Sequence, residues 1–335
     1  MTPLEPAGTG TGTPEPGTPA TGWQLFRGDG VPREVEFAPA PPWRRFGRDE
    51  HRPGGEDTAP RPYLIGTDEA DIVNAALHLR RPLLVTGHPG TGKSSLAHAV
   101  AHELSLGRVL HWPVNSRSAL QDALYRYDAV GRLREANLRR DPDAPEPDIG
   151  RYIRLGPLGN ALVPRERPRV LLVDELDKGD VDLPNDLLTV FEDGAFAIPE
   201  LARLPEGHPP VLVQTDDPRE PAPVTGGHLR CREFPVVIIT SNGEREFPPA
   251  FLRRCLRLDL PEPDEQRLRD IVAAHLGPEA LVGVDDLLEE FLGRRAPGEL
   301  ATDQLLNAVF LRKGGVDLDA GSLLDAVLHQ LGGAV

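Results

Sequence analysis

Glycines 87, 90 and 92, followed by a lysine and a serine, make the stretch Gly87-His88-Pro89-Gly90-Thr91-Gly92-Lys93-Ser94, which fits the phosphate-loop pattern GxxxxGK[ST]. Glycine lets a backbone turn tightly and aim its N–H groups at an anion, and the start of a following helix adds positive potential. The flanks have the character this requires. Pro82-Leu83-Leu84-Val85-Thr86 is an apolar run that reads as a buried strand, and Ser95-Leu96-Ala97-His98-Ala99-Val100-Ala101 reads as the helix that follows. The chemistry expected is binding of ATP, with residues 87–95, Ser95 included, wrapped around its phosphates. Lys93 is placed to reach the β- and γ-phosphates, and Ser94 to put its hydroxyl on Mg2+.

Kinases, switches and motors all carry such a loop, so the reaction must be read from other residues. Arg169-Val170-Leu171-Leu172-Val173-Asp174-Glu175 is an apolar, β-branched strand ending in two carboxylates, which places charge at the C-terminal edge of a parallel sheet. Asp174 is expected in the Mg2+ shell. Glu175 then stands where it can orient and deprotonate a water attacking the γ-phosphate, a hydrolase arrangement. A third strand, Val236-Val237-Ile238-Ile239-Thr240, ends in Ser241-Asn242, and Asn242 is placed to hydrogen-bond that water or the γ-phosphate. Pro248-Pro249-Ala250-Phe251-Leu252-Arg253-Arg254 reads as a short helix leading into a fourth strand, Leu256-Arg257-Leu258-Asp259-Leu260. Its arginines are either solvated charge or the source of an arginine finger that reaches a neighbouring subunit's γ-phosphate.

In order and content these four segments resemble the AAA+ ATPases and, within them, the MoxR-like branch. The resemblance implies an α/β fold: an AAA+ P-loop NTPase core with a parallel five-stranded sheet between helices, followed by a small C-terminal helical lid. It makes residues 87–94 the Walker A motif, 170–175 the Walker B motif and Asn242 the sensor 1 residue. The family's finger follows a leucine-rich helix ending in Asp-Arg-Phe; Arg253-Arg254-Cys255 stands there in this chain, so Arg254 takes the finger position without the flanking acid and aromatic. The lid helix that carries the family's sensor 2 arginine reads Leu300-Ala301-Thr302-Asp303-Gln304-Leu305-Leu306, with an aspartate in the arginine's place. Either Arg294 or Arg295 substitutes for it, or hydrolysis is slow and coupled to a partner. Two stretches, about 125–160 and 194–233, match the family's insertions near the second core helix and before sensor 1. The lead-in Pro62-Tyr63-Leu64-Ile65-Gly66 corresponds to the family segment beside the adenine, which makes Ile65 a base contact. The resemblance further implies a ring, a homo-hexamer with ATP between subunits and Arg254 supplied in trans, whose motion remodels or matures a protein client, often one bearing a von Willebrand factor A domain.

Three regions are expected. Residues 1–60 are rich in Pro, Gly and Thr and too poor in large apolar side chains over the first twenty to fold alone; the aromatics that follow, Trp23, Phe26, Trp43 and Phe46, read either as a segment wrapping along its own ATPase domain, the favoured reading, or as a linear motif that docks on a partner. Residues 61–260 hold the core. Residues 261–335 hold apolar positions at helical spacing, as in Asp264-Glu265-Gln266-Arg267-Leu268 and Leu287-Leu288-Glu289-Glu290-Phe291-Leu292, and form the lid.

The 335-residue chain suffices for one large α/β domain, a lid and a tail. Its two cysteines offer no disulfide framework, and no apolar run is long enough to span a bilayer, so the expected location is the cytoplasm. A net charge of -15 weighs against a nucleic-acid coat. His98 and His102 lie four apart but lack the His-Glu-x-x-His order, and metal binding there is not expected. Two alternatives stand beside the remodelling ATPase: a slow-turnover switch or scaffold needing a partner, and a motor subunit of a nucleic-acid-processing or defence system, like the GTP-using restriction relatives of this fold.

Overall fold

The computed structural model describes residues 39–44, 63–138, 147–294, 300–318 and 322–329. Five strands make the central sheet: β1 (Leu83–Thr86), β2 (Leu110–Pro113), β3 (Val170–Asp174), β4 (Val236–Ser241) and β5 (Leu256–Asp259). Their order is β5-β1-β4-β3-β2 and every pairing is parallel. Continuous apolar runs suit a sheet covered on both faces. Successive residues supply the two sides: Leu83, Val85, Val170, Leu172 and Ile238 face one buried cluster, whereas Leu84, Leu171, Val173, Val237 and Ile239 face another. The first cluster is closed by helices α1 (Thr67–Leu79) and α2 (Lys93–Glu103), and the second by α3 (Leu183–Asp193) and the short helix Pro249–Leu252, through Leu187 and Phe251.

The register aligns the polar strand ends. Thr86 pairs with Ser241 and with Asp259, and Ile239 pairs with Val173, so the residues just past these positions emerge along one edge of the sheet. The sequence reading found β1, β3, β4 and β5 and assigned no strand at β2.

Antiparallel strand pairs occupy the two stretches expected to be insertions. An antiparallel pair, Tyr125–Tyr127 with Ile153–Leu155, brackets the helix Ala129–Leu138. Before β4 come two further antiparallel pairs, Ala195–Ala197 with His228–Arg230 and Val211–Val213 with Ala222–Val224.

Beyond β5 the chain is helical: α4 (Glu265–Leu276), α5 (Asp285–Arg294) and α6 (Thr302–Lys313), then the short Leu323–Val327. Leu268, Val272, Leu287, Phe291, Leu305 and Val309 form a core of their own, separate from those on the sheet. The side chain of Asp264 caps α4 by accepting the Arg267 N–H at 2.8 Å. Trp43 docks on this bundle. Its ring meets Phe310 edge-on at 5.9 Å between centroids, and its Nε1 donates to Asn307 Oδ1 at 3.2 Å. The aromatic segment thus lies on its own chain at Trp43; Trp23, Phe26 and Phe46 fall outside the described residues. Among the described residues no helix is long and apolar enough to cross a membrane.

Candidate functional site

The loop between β1 and α2 needs its glycines for definite reasons. Gly87, Gly90 and Gly92 all have positive φ, at 145°, 78° and 89°. A Cβ on Gly90 would come within 2.6 Å of Ala301 Cβ and 2.8 Å of Thr302 N, because the start of α6 rests on the loop. Gly92 caps α2 without any side-chain hydrogen bond, which leaves the first N–H groups of that helix to an anion. His88, Pro89 and Gly90 are exposed, and Thr91 Oγ1 donates to His88 O at 2.9 Å to fasten the turn.

Lys93 is 7% exposed. Its Nζ donates to Gly87 O at 2.7 Å and His88 O at 2.8 Å, so the ammonium lies inside the cup of the loop. Burial pushes its pKa down, opposed by the negative fields of Asp177, Glu175 and Asp174. Ser94 Oγ donates to Asp174 Oδ1 at 2.7 Å, joining the loop to the end of β3. Ser95 is half-buried one residue on.

Asp174 is the most connected group of the site. Thr240 Oγ1 donates to Oδ1 at 2.7 Å and His111 Nε2 lies 3.1 Å from Oδ2. Burial pushes its carboxyl up, but the hydrogen bonds from His111, Ser94 and Thr240 outweigh this and hold it down to about 2. A hydroxyl and an ionised carboxylate 2.7 Å apart form the all-oxygen donor set that Mg2+ takes, so Ser94 and Asp174 fit that ion.

Glu175 follows in left-handed geometry, φ 59° and ψ 50°. For a residue with a Cβ this costs about 1–2 kcal/mol, strain of the sort that concentrates where side chains must be aimed. Its N–H donates to Thr240 Oγ1 at 2.8 Å, which stabilises the turn. The turned carboxylate meets two donors at Oε1: Asn242 Nδ2 at 3.3 Å and Lys178 Nζ at 2.8 Å. Asp177 lies behind them, 3% exposed, with Oδ2 accepting the N–H groups of Asn242 at 3.0 Å and Glu244 at 3.1 Å. The structure therefore gathers Lys93, Ser94, Asp174, Glu175 and Asn242 at one sheet edge.

The remaining expected positions lie elsewhere. Arg254 is half-exposed at the end of the Pro249–Leu252 helix, where its Nε pairs with Glu192 of α3 and its Nη1 donates to Ala250 O at 3.1 Å. Arg253 beside it is exposed. Asp303, at the sensor 2 place, is exposed on α6. Arg294, offered for the missing arginine, bridges Glu290 and Asp325 within the lid; Arg295 falls outside the described residues. Ile65 is half-buried against the α1–α2 cluster together with Tyr63, whose ring packs by Gly92 and whose buried hydroxyl has no partner.

Four neighbours of the site went unread in the sequence: His111, Asp177, Lys178 and Thr240. His111 belongs to the strand that was not assigned. Asp177 and Lys178 follow the Asp-Glu pair directly, and a turn after a strand end was the available signal. Thr240 is visible only through the β3–β4 register.

The family model "AAA domain (dynein-related subfamily)" matches residues 82–255, just over half of the chain. The chaperone protein ClpB of Chlamydia muridarum (strain MoPn / Nigg) is 31% identical over 141 residues, which cover 40% of this chain and 14% of ClpB. Among solved structures, NtrX from Brucella abortus in complex with ATP matches with a TM-score of 0.42 at 16% identity, covering 81% of this chain and 57% of NtrX. The ADP complex of NtrX gives 0.41 at 17% identity, with 79% and 54% covered.

Proposed function

This chain belongs to the AAA domain family, dynein-related subfamily, and from that premise we propose that it is a Mg2+-dependent ATPase of MoxR type, working as a homo-hexameric ring that remodels or matures a protein client. The observation that carries the reading is the meeting of Asn242 with Glu175 beside the Ser94–Asp174 bond and the buried Lys93.

Each residue has a task in that reading. The loop amides and Lys93 bind the β- and γ-phosphates of ATP, with Ile65 against the base. Ser94 and Asp174 would hold Mg2+, which when bound would supply neutralisation of developing charge on the phosphate oxygens. Asn242 orients the attacking water, and Glu175 takes its proton. Arg254, leaving Glu192, stabilises the transferring phosphoryl group in the neighbouring subunit. The resting of α6 on Gly90 gives the lid a direct mechanical link to the loop, through which changes at the γ-phosphate become rigid-body movement. In this reading the client bears a von Willebrand factor A domain, as in MoxR systems, and receives that movement; the chaperone name of the ClpB relative accords with such work.

A second reading, the partner-dependent switch, is favoured by one pairing, Lys178 on the Glu175 oxygen in the core, together with a lid that sets Asp303 rather than an arginine at the sensor 2 place. Nucleotide affinity separates both from a chain that binds nothing. Lys93→Ala is expected to weaken ATP binding by more than about a hundredfold, since it removes the only lysine of the cup; unchanged affinity, by calorimetry, would remove the nucleotide site itself.

A further inference from the structure

A carboxylate 3% exposed is costly to bury unless it does something its neighbours need. Asp177 sits in the short 3-10 turn Leu176–Lys178, which begins at the left-handed Glu175. One of its oxygens accepts two backbone N–H groups of the loop after β4, those of Asn242 and Glu244. The other oxygen is buried with no hydrogen-bond partner. Asn242 is thus held twice from the same turn: its backbone by Asp177, and its side-chain amide by Glu175 Oε1 at 3.3 Å. Of the neighbouring carboxylates, Asp177 does most to raise the Lys93 pKa against the lowering by burial.

We propose that Asp177 is a positioning residue for hydrolysis: by clamping the Asn242 and Glu244 amides it fixes where Asn242 stands relative to Glu175, and so where the attacking water is held. This rests on the reading of Glu175 and Asn242 as the pair that handles water. Charge-assisted bonds to two loop amides on either side of Gly243 make a stiff mount. Displacement of a catalytic group by about 1 Å is enough to cost orders of magnitude in rate. The two acceptor bonds need one oxygen, and the second oxygen makes none, so asparagine preserves the clamp while alanine removes it.

The test uses the full chain with Asp177→Ala and Asp177→Asn, and follows amide hydrogen exchange over residues 241–245, thermal melting, ATP affinity and kcat. Asp177→Ala is expected to speed exchange at Asn242 and Glu244 and to lower kcat by about ten- to a hundredfold while ATP affinity stays within about threefold. Asp177→Asn is expected to restore protection at both amides and most of kcat. Wild-type exchange at 241–245 in Asp177→Ala overturns the clamp, whether or not the chain hydrolyses ATP. Equal losses of affinity and kcat, or a fall in melting temperature with no split between them, overturn the positioning role and leave a purely structural one. If the wild type itself does not turn ATP over, the ATPase reading fails by itself, and the exchange result still decides the clamp.

Discussion

Lys178 Nζ lies 2.8 Å from Glu175 Oε1, on the same oxygen that accepts the Asn242 amide. The hydrogen bond that Lys178 donates to Glu175 raises the Lys178 pKa, so the lysine stays charged. An ammonium occupying the oxygen that must take a proton competes with the water for that oxygen. Lys178→Met is therefore expected to raise basal turnover of the isolated protein by roughly two- to tenfold with little change in ATP affinity. Turnover equal to or below wild type would show that Lys178 supports Glu175 rather than restraining it.

Arg254 is held by Glu192 of its own chain, on a half-exposed surface. A finger acting in trans must exchange this partner for a neighbour's phosphate. Arg254→Ala is expected to bind ATP normally and lose about a thousandfold or more in kcat. Mixing it with Glu175→Gln subunits should recover part of the activity, because the mixed interface combines an intact Glu175 with an intact Arg254. Absence of recovery at every ratio, with mixed rings verified by mass, contradicts the trans arrangement.

The lid is fastened to the first turn of α1 by a two-pronged ion pair. Arg267 Nη1 and Nη2 donate to Glu69 Oε1 and Oε2, each at 3.2 Å, and Nη2 also reaches Leu64 O at 3.0 Å. Burial pushes the Glu69 carboxyl up, but the bonds from Arg267 and from the Gly66 N–H outweigh it, and its pKa is lowered. A carboxylate whose folded pKa is depressed adds stability that is complete above its ordinary value, about 4.5, and is lost as pH falls through the lower folded value. Glu69→Gln should therefore melt below wild type at pH 7, by an amount corresponding to about 1–3 kcal/mol, and the gap should close as pH drops below about 4. A gap that stays constant down to pH 3 would exclude the ion pair as its source.

The phosphate loop and the Asp174-Glu175 pair were legible because their chemistry is local: a strand, a glycine turn and a helix start within a dozen residues. Strands β1, β3, β4 and β5 announced themselves as apolar runs. Strand β2 did not, since four residues alternating buried and exposed, with His111 inside and Pro113 at the end, carry little signal. What sequence spacing does not contain is sheet order. Thr240 reaches Asp174, and Asp177 reaches Asn242, only because β4 lies beside β3, although more than sixty positions separate the partners. The cis pairing of Arg254 with Glu192, 62 positions apart, is hidden because it joins two helices far apart in sequence, as is that of Arg294 with Asp325, 31 positions on, although Glu290 stands one turn before Arg294 on α5.

Steady-state ATP hydrolysis measured across protein concentration, with light scattering for mass and Glu175→Gln as the blank, tests the central claim most directly. The account predicts specific activity that rises as rings assemble and a Glu175→Gln variant that binds ATP but stays inactive throughout. Tight ATP binding with negligible turnover at every concentration and mass, or hydrolysis undiminished in Glu175→Gln, would contradict it.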